Sequence, residues 1–133
     1  MRMLQWLYQF IEQRPANMQY INHENTKRFK NSDSCTAIEY DFRDSNDINI
    51  AAIELHGRYP EAGYALNTIS KEVVYVKSGE GTLNTPTDRT SLSIGDAALI
   101  EPNERYYFEG TLELVISSSP AWSPEQHRNI IGR

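Results

Sequence analysis

The chain has 133 residues, 39% of them hydrophobic and 23% charged, which suits one globular domain rather than a disordered chain. Its formal net charge of −5 disfavours nucleic acid as a partner, because phosphate binding needs clustered cations. A single cysteine, Cys35, excludes an intramolecular disulfide and a cysteine-based zinc cluster. No apolar run approaches the roughly 20 residues that cross a bilayer, and the first residues lack a signal-peptide core, so we expect a cytoplasmic protein with no membrane partner.

The beginning of the chain, residues 1–13, predicts an amphipathic helix. Its apolar residues recur at steps of three and four: Leu4, Leu7, Tyr8 and Ile11. Pro15 ends this pattern. Because one short helix is not stable alone in water, we expect it to pack on the rest of the protein or on a second subunit. The sequence therefore predicts an N-terminal helical extension over residues 1–17 and a single domain over residues 18–133.

From residue 36 onward the pattern is that of strands. In TAIEYDF, at 36–42, apolar and acidic residues alternate, as in a half-buried strand. Similar short segments follow about every 8 to 12 residues with no helical pattern between them. We interpret GEG, at 79–81, as a tight turn between two of these strands. The arrangement is typical of an all-β sandwich or barrel.

The tail of the chain predicts a short C-terminal helix. Ser123 is followed by Pro124 and then by Gln126, which fits an N-cap, a first-turn proline and a capping box. We expect this helix to lie against the outside of the barrel or across its mouth. His127 falls within it.

Two glycine-punctuated segments resemble the two sequence motifs of the cupin superfamily. In EVVYVKSGEG, Glu72 and Gly79 keep the interval that ends the first motif. In GDAALIEPNERYYF, Gly95 and Pro102 stand where the second motif has a glycine and a proline. The resemblance covers about residues 48–120. It implies a cupin jelly-roll barrel, flanked here by the N-terminal helix and the short C-terminal helix.

The resemblance also shows where the chain departs from the family. Cupins commonly hold a transition metal with three histidines and a carboxylate. The corresponding positions here are Ala65, Asn67, Glu72 and Tyr107. This set lacks the imidazole nitrogens that such metals favour. We therefore expect no metal and no cofactor.

With the family's register, Asn67, Glu72 and Tyr107 point into the barrel, and alternation places Arg105 on the same side as Tyr107. A few polar groups within an apolar cup are typical of a small-molecule site. Glu72 and Tyr107 are the candidate catalytic pair, since a buried carboxyl and a phenol can transfer protons. Asn67 and Arg105 are candidate ligand-binding residues.

Three more candidate ligand-binding residues lie around the segment GRYPEAGY at 57–64. Tyr59 and Tyr64 could stack on a sugar or aromatic ring, or they could pack within the loop. His56 ends the preceding strand, where its side chain faces either the mouth or the outside.

The predicted function is a metal-free interior pocket that binds a small polar metabolite, with a carbohydrate-like ligand favoured. Whether the pocket is catalytic stays open; proton transfer, as in an isomerase or epimerase, needs the fewest additional groups. One alternative is a metal-dependent cupin enzyme with ligands relocated to His56, Glu72 and His127. Another is a non-catalytic structural or regulatory barrel. Because a small open barrel leaves strand edges to be covered, we also expect a homodimer.

Overall fold

The computed structural model describes residues 18–131, which form antiparallel strands and two single turns of 3-10 helix, His23–Asn25 and Pro124–Gln126. The strands are β1 (Lys27–Ser32), β2 (Cys35–Tyr40), β3 (Asn49–Tyr59), β4 (Tyr64–Asn67), β5 (Lys71–Asn84), β6 (Arg89–Leu92), β7 (Ala97–Ile100), β8 (Tyr107–Ser119) and β9 (His127–Ile130). Within this part of the chain, no helix is long and apolar enough to cross a membrane.

The strands form two sheets that together make an open barrel. The main sheet has the order β1-β2-β3-β8-β5-β6, with β7 also paired to β5. The second sheet consists of β4 and β9. An isolated bridge from Ala65 of β4 to Tyr106 joins the second sheet to the start of β8. Since buried Ala65 belongs to the core, the second sheet packs against the inner face of the main one. The predicted all-β architecture is confirmed.

Alternation along the strands separates a buried inner face from an outer one. In β5, Val74 and Val76 are buried, whereas Val73 and Tyr75 between them are exposed. This is the two-residue period of a strand with one face on a core. The largest fully buried side chains come from β3, β5 and β8: Leu55, Leu112, Leu114, Val74 and Val76. Burying each one contributes roughly 1.5–3 kcal/mol to stability.

The glycines of GEG do not form a turn. Gly79 and Gly81 lie within β5, which continues past them and pairs with β8, so that Gly81 is opposite Gly110. A Cβ on Gly79 would overlap the carbonyl oxygen of Thr111, and one on Gly110 would overlap that of Glu80. The interpretation as a turn is wrong. Glycine is needed here because two strands approach closely, and a close approach selects residues without a side chain just as a tight turn does.

The two predicted terminal helices have different outcomes. The N-terminal helical extension, residues 1–17, lies outside the described residues. The predicted C-terminal helix is wrong: one 3-10 turn leads directly into β9, which pairs with β4. Ser123 makes no capping hydrogen bond. Gln126 is buried instead, and its Oε1 accepts hydrogen bonds from the backbone N–H groups of Ile69 and Ser70 at 3.1 and 2.7 Å. The tail is thus held by a strand partner and a buried amide.

Candidate functional site

The barrel contains a cavity of about 740 Å³. This volume lies within the range of roughly 300–1,000 Å³ found for small-molecule sites. Much of its wall is apolar and comes from the inner face of β2, β3 and β8: Ala37, Ile53, Leu55, Leu114 and Ile116. Other parts of the wall carry polar side chains: Tyr59, Glu72, Tyr106, Ser118, Trp122 and His127. The largely exposed segment 40–46 forms the rim.

Asn67 lies behind the cavity wall, with only 4% of its surface exposed, and bonds to three of these polar side chains. Pairing of β4 with β9 sets it directly opposite His127. Its amide nitrogen donates to Oε1 of Glu72 at 2.8 Å. Its oxygen accepts from the indole N–H of Trp122 at 2.8 Å and lies 2.9 Å from Nδ1 of His127. One amide therefore links strand β5, the tail and β9.

The tautomer of His127 follows from these bonds. An indole nitrogen can only donate, so the Asn67 atom facing Trp122 is the oxygen. Nδ1 of His127 must then carry a proton and donate it to the same oxygen. Burial, together with the charge of Arg128, lowers the pKa of His127, which favours the neutral ring. Nε2 is therefore unprotonated and accepts from the hydroxyl of Tyr59, 2.9 Å away.

Tyr59 is the proton-donating partner of this ring. Burial raises the pKa of Tyr59 to about 12, with further contributions from Cys35 and Glu72. The phenol is therefore protonated at neutral pH. The rings of Tyr59 and His127 are nearly parallel, at 19°, with centroids 6.2 Å apart. A phenol in contact with a neutral imidazole is a preformed acid–base pair.

Glu72 lies behind this pair rather than in contact with it. Its Oε1 accepts from Asn67, and its Oε2 accepts from the hydroxyl of Ser118 at 2.9 Å. Burial raises the pKa of Glu72, while the bonds from Ser118 and Asn67 oppose this shift. Because both oxygens are acceptors, the arrangement fits an ionised carboxylate, which the Asn67 amide connects to His127.

Tyr106, not Tyr107, faces the cavity. Tyr106 is 6% exposed and contributes to the cavity wall. The Tyr107 ring instead lies 3.8 Å from the guanidinium carbon of Arg58 and 5.7 Å from the ring of Tyr64. The predicted inward position of Tyr107 is wrong because alternation on this strand places Tyr106 and Phe108 on the inner side.

The other predicted ligand contacts divide into two groups. Tyr59 lines the cavity, as does Glu72. Among the described residues, the predicted ligand contacts that do not belong to the cavity wall are Asn67, His56, Tyr64 and Arg105. His56 follows buried Leu55, so alternation turns its side chain outward into solvent. Tyr64 begins β4, and its ring packs against the ring of Tyr107 rather than within the loop.

Sequence reasoning missed Tyr106 and Ser118, and it favoured Trp122 as an anchor for the tail rather than as part of the site. The inner face of β8 runs through Leu112 and Leu114, so a count in steps of two would have found Ser118. The same count from Phe108 would have found Tyr106. Trp122 lies in an irregular tail, where no periodic pattern could have placed it.

The site does not fit the metal centre typical of cupins. Glu72 is the one carboxylate at the family's ligand positions, and both of its oxygens already accept hydrogen bonds. Within residues 18–131, no three His, Cys, Asp or Glu residues lie close enough to hold a metal ion. The relocated set of His56, Glu72 and His127 is not brought together either, since His56 is outside and Nε2 of His127 faces Tyr59.

Comparison with known proteins gives the fold. The sequence matches no family model and no curated protein. Pac13 of Streptomyces, described as a nucleoside dehydratase, is 20% identical with a TM-score of 0.76, over 87% of this chain and 95% of that chain. An RmlC-like cupin from Shewanella frigidimarina is 19% identical with a TM-score of 0.64, over 79% and 93%. The polyketide cyclase RemF from Streptomyces resistomycificus is 14% identical with a TM-score of 0.68, over 88% of each chain.

These structures define the class of architecture as a small antiparallel barrel built around an internal cavity. The chain has the cupin fold, as the resemblance of its two sequence motifs predicted.

Proposed function

We propose that this cupin-fold chain is a metal-independent enzyme that transfers a proton on a small hydroxylated metabolite, with Tyr59 and His127 as the catalytic pair. The observation that carries the proposal is the hydrogen bond between the Tyr59 hydroxyl and Nε2 of His127, inside the cavity. The ligand class is the predicted one, a polar and carbohydrate-like molecule. Hydroxyl groups on such a ligand match the donors and acceptors on the polar part of the wall.

The transfer proceeds through the phenol. A substrate C–H or O–H gives its proton to the Tyr59 oxygen while the Tyr59 proton moves to Nε2 of His127. The products are a substrate anion and an imidazolium, and the reverse step returns the proton. Asn67 continues to accept from Nδ1, and the nearby Glu72 charge stabilises the imidazolium.

Tyr106 provides the complementary group for the substrate anion. Burial, with the charge of Glu72, raises the pKa of Tyr106 well above its ordinary value, so its hydroxyl stays protonated. A neutral phenol on the cavity wall can donate a hydrogen bond to a developing oxyanion. This hydrogen bond stabilises the oxyanion without a metal ion.

The likeness to Pac13 supports elimination of water as the reaction class. That protein is described as a nucleoside dehydratase and was solved with uridine. Dehydration requires removal of a proton and protonation of a departing hydroxyl, which are the two tasks of a base and an acid in one cavity. Isomerisation uses the same first proton transfer.

A deuterium-exchange assay tests the proposal. Hydroxylated metabolites are incubated with the protein in D₂O, and incorporation at carbon is followed by NMR. Tyr59→Phe should slow exchange by at least about a hundredfold. Tyr64→Phe, outside the cavity, is the matched control and should leave the rate unchanged. Equal rates for Tyr59→Phe and the unaltered protein would contradict the mechanism.

We also propose the homodimer expected from the sequence. Val73 and Leu99 are cross-strand partners on the outer face of β5 and β7, with 48% and 53% of their surfaces exposed. Tyr75, beside them on β5, is 46% exposed. An apolar group of this kind on an outer face supports association of two copies. Light scattering should give twice the chain mass, and Val73→Lys with Leu99→Lys should halve it.

A further inference from the structure

One wall of the cavity is not explained by proton transfer. On β1, the inward side chains include Lys27 and Phe29, and the register sets Phe29 opposite Ala37 and Lys27 opposite Glu39. On the next strand, Ala51 is opposite Glu39. These residues form what we call the β1–β2 wall. It combines one aromatic ring, two methyl groups, a carboxylate and the ammonium group of Lys27.

The aromatic side chain on this wall is only partly covered. Phe29 lines the cavity, yet 46% of its surface is exposed. Ala37 and Ala51, which also line the cavity, are too small to cover it. We call the surface that Phe29 forms with these two alanines the slot. Planar rings bind such surfaces by stacking on the aromatic group.

The carboxylate of Glu39 is at the edge of this slot. Within residues 18–131, its side chain makes no hydrogen bond, although it lies on the cavity wall. Lys27, its cross-strand partner, forms an ion pair with Asp41 at 3.3 Å, and the charge of Lys27 also acts on Glu39. A carboxylate with free acceptor atoms selects an N–H donor.

We propose that the β1–β2 wall is a subsite for a planar nitrogen heterocycle that carries an N–H on its edge, stacked on Phe29 and bound by Glu39. The substrate class is then a hydroxylated ring joined to such a heterocycle. The part of this assignment that concerns the hydroxylated ring rests on the proposed function.

The two parts of the cavity lie within reach of one such molecule. Glu39, Ala51 and Ile116 occupy successive strands, so Glu39 is two strand spacings, roughly 10 Å, from β8. Cys35 lies two residues before Ala37 on the same face of β2 and is close enough to Tyr59 to affect its pKa. The Ala37 end of the slot therefore adjoins the acid–base pair, and Glu39 lies roughly 7 Å further along β2.

Calorimetric binding to matched probes tests this subsite. Uridine and inosine carry the ring N–H, 3-methyluridine and 1-methylinosine have it blocked, and methyl β-D-riboside lacks the heterocycle. The first two should bind about tenfold more tightly than the other three. Phe29→Ala and Glu39→Leu should remove this advantage. Lys30→Ala, on the outward side of the same strand, should leave it unchanged.

The outcomes separate the subsite from the proposed function. If all five probes bind with equal affinity and Tyr59→Phe lowers the affinity for each of them, the subsite is overturned, whereas the proposed function stands. Binding of uridine that depends on Phe29 and Glu39, without deuterium exchange and without an effect of Tyr59→Phe, would support the subsite and contradict the proposed function. No binding of any probe at millimolar concentration would overturn the subsite.

Discussion

Oδ1 of Asn67 lies 2.9 Å from Nδ1 of His127, and the same oxygen accepts the indole N–H of Trp122. Because the indole can only donate, this relationship sets the amide orientation and, with it, the imidazole tautomer. The free lone pair of His127 is thereby directed at Tyr59. Asn67, at a position where the motif resemblance places a metal-ligand histidine, thus orients the imidazole of His127.

Removal of the central amide should be costly. Asn67→Ala leaves the buried polar atoms of Glu72, Trp122 and His127 each without one partner, at about 1–3 kcal/mol apiece. We expect the free energy of unfolding to fall by at least about 3 kcal/mol, as measured by urea titration. Asn129→Ala, an exposed asparagine on β9, is the control and should change stability by less than about 0.5 kcal/mol. Equal stability of the two variants would refute the network.

The stability of the protein should depend on the protonation of His127. In the unfolded chain this group titrates near 6.5, whereas burial lowers its pKa in the folded chain. As the pH falls below about 6.5, the unfolded chain therefore takes up the proton before the folded chain does. The free energy of unfolding decreases over this range, until the pH reaches the pKa of His127 in the folded chain. His127→Gln should show a smaller loss of unfolding free energy between about pH 7.5 and 5.5. If His127→Gln lost as much unfolding free energy over this pH range as the unaltered protein, a buried neutral ring would be contradicted. His23→Gln, at an exposed histidine, is the control.

Loss of the Glu72 charge should affect chemistry more than binding. In Glu72→Gln, the imidazolium formed during transfer loses its nearby anion, so the exchange rate should fall at least about tenfold. The dissociation constant of a hydroxylated ligand should change little, since Glu72 acts through Asn67. Parallel exchange and calorimetry experiments measure both quantities. Unchanged turnover in Glu72→Gln would remove this residue from the mechanism.

The two tyrosines at 106 and 107 should behave differently. Tyr106→Phe removes the proposed oxyanion donor and should lower the exchange rate by about a hundredfold. Tyr107→Phe alters a ring that contacts Arg58 and Tyr64, and should leave the rate unchanged. A larger effect at Tyr107 would favour the register expected from the family motif.

The close approach of β5 and β8 can be tested with two matched glycines. Gly79 and Gly95 share a φ of +90°, but a Cβ on Gly95 meets nothing within 4 Å, whereas one on Gly79 overlaps the Thr111 carbonyl. Both alanine variants carry the backbone strain of roughly 1–2 kcal/mol. Gly79→Ala should therefore lower the unfolding free energy by at least about 2 kcal/mol more than Gly95→Ala. Similar losses would show that the strands can separate without cost.

Local patterns in the sequence, with the resemblance of its two motifs, were sufficient for the all-β class and for part of the site. Alternation along β5 correctly predicts that Glu72 and Val74 face inward and Tyr75 outward. The spacing of the family motif predicted that Tyr107 faces inward. In the structure, Tyr106 forms a bridge to Ala65, and the inward side chains are Tyr106 and Phe108, so the inward set is shifted by one residue. The pairing of β9 with β4, which brings His127 to Asn67, depends on two segments far apart in the chain, and no local pattern predicts it.

The most direct test of the account is the tautomer of His127, measured from its nitrogen chemical shifts by two-dimensional ¹H–¹⁵N NMR at neutral pH. The account predicts a neutral ring with the proton on Nδ1, so that Nε2 has the shift of an unprotonated nitrogen. It also predicts that Asn67→Ala redistributes the proton between the two nitrogens. A proton on Nε2, or an imidazolium at neutral pH, would contradict the proposed acid–base pair.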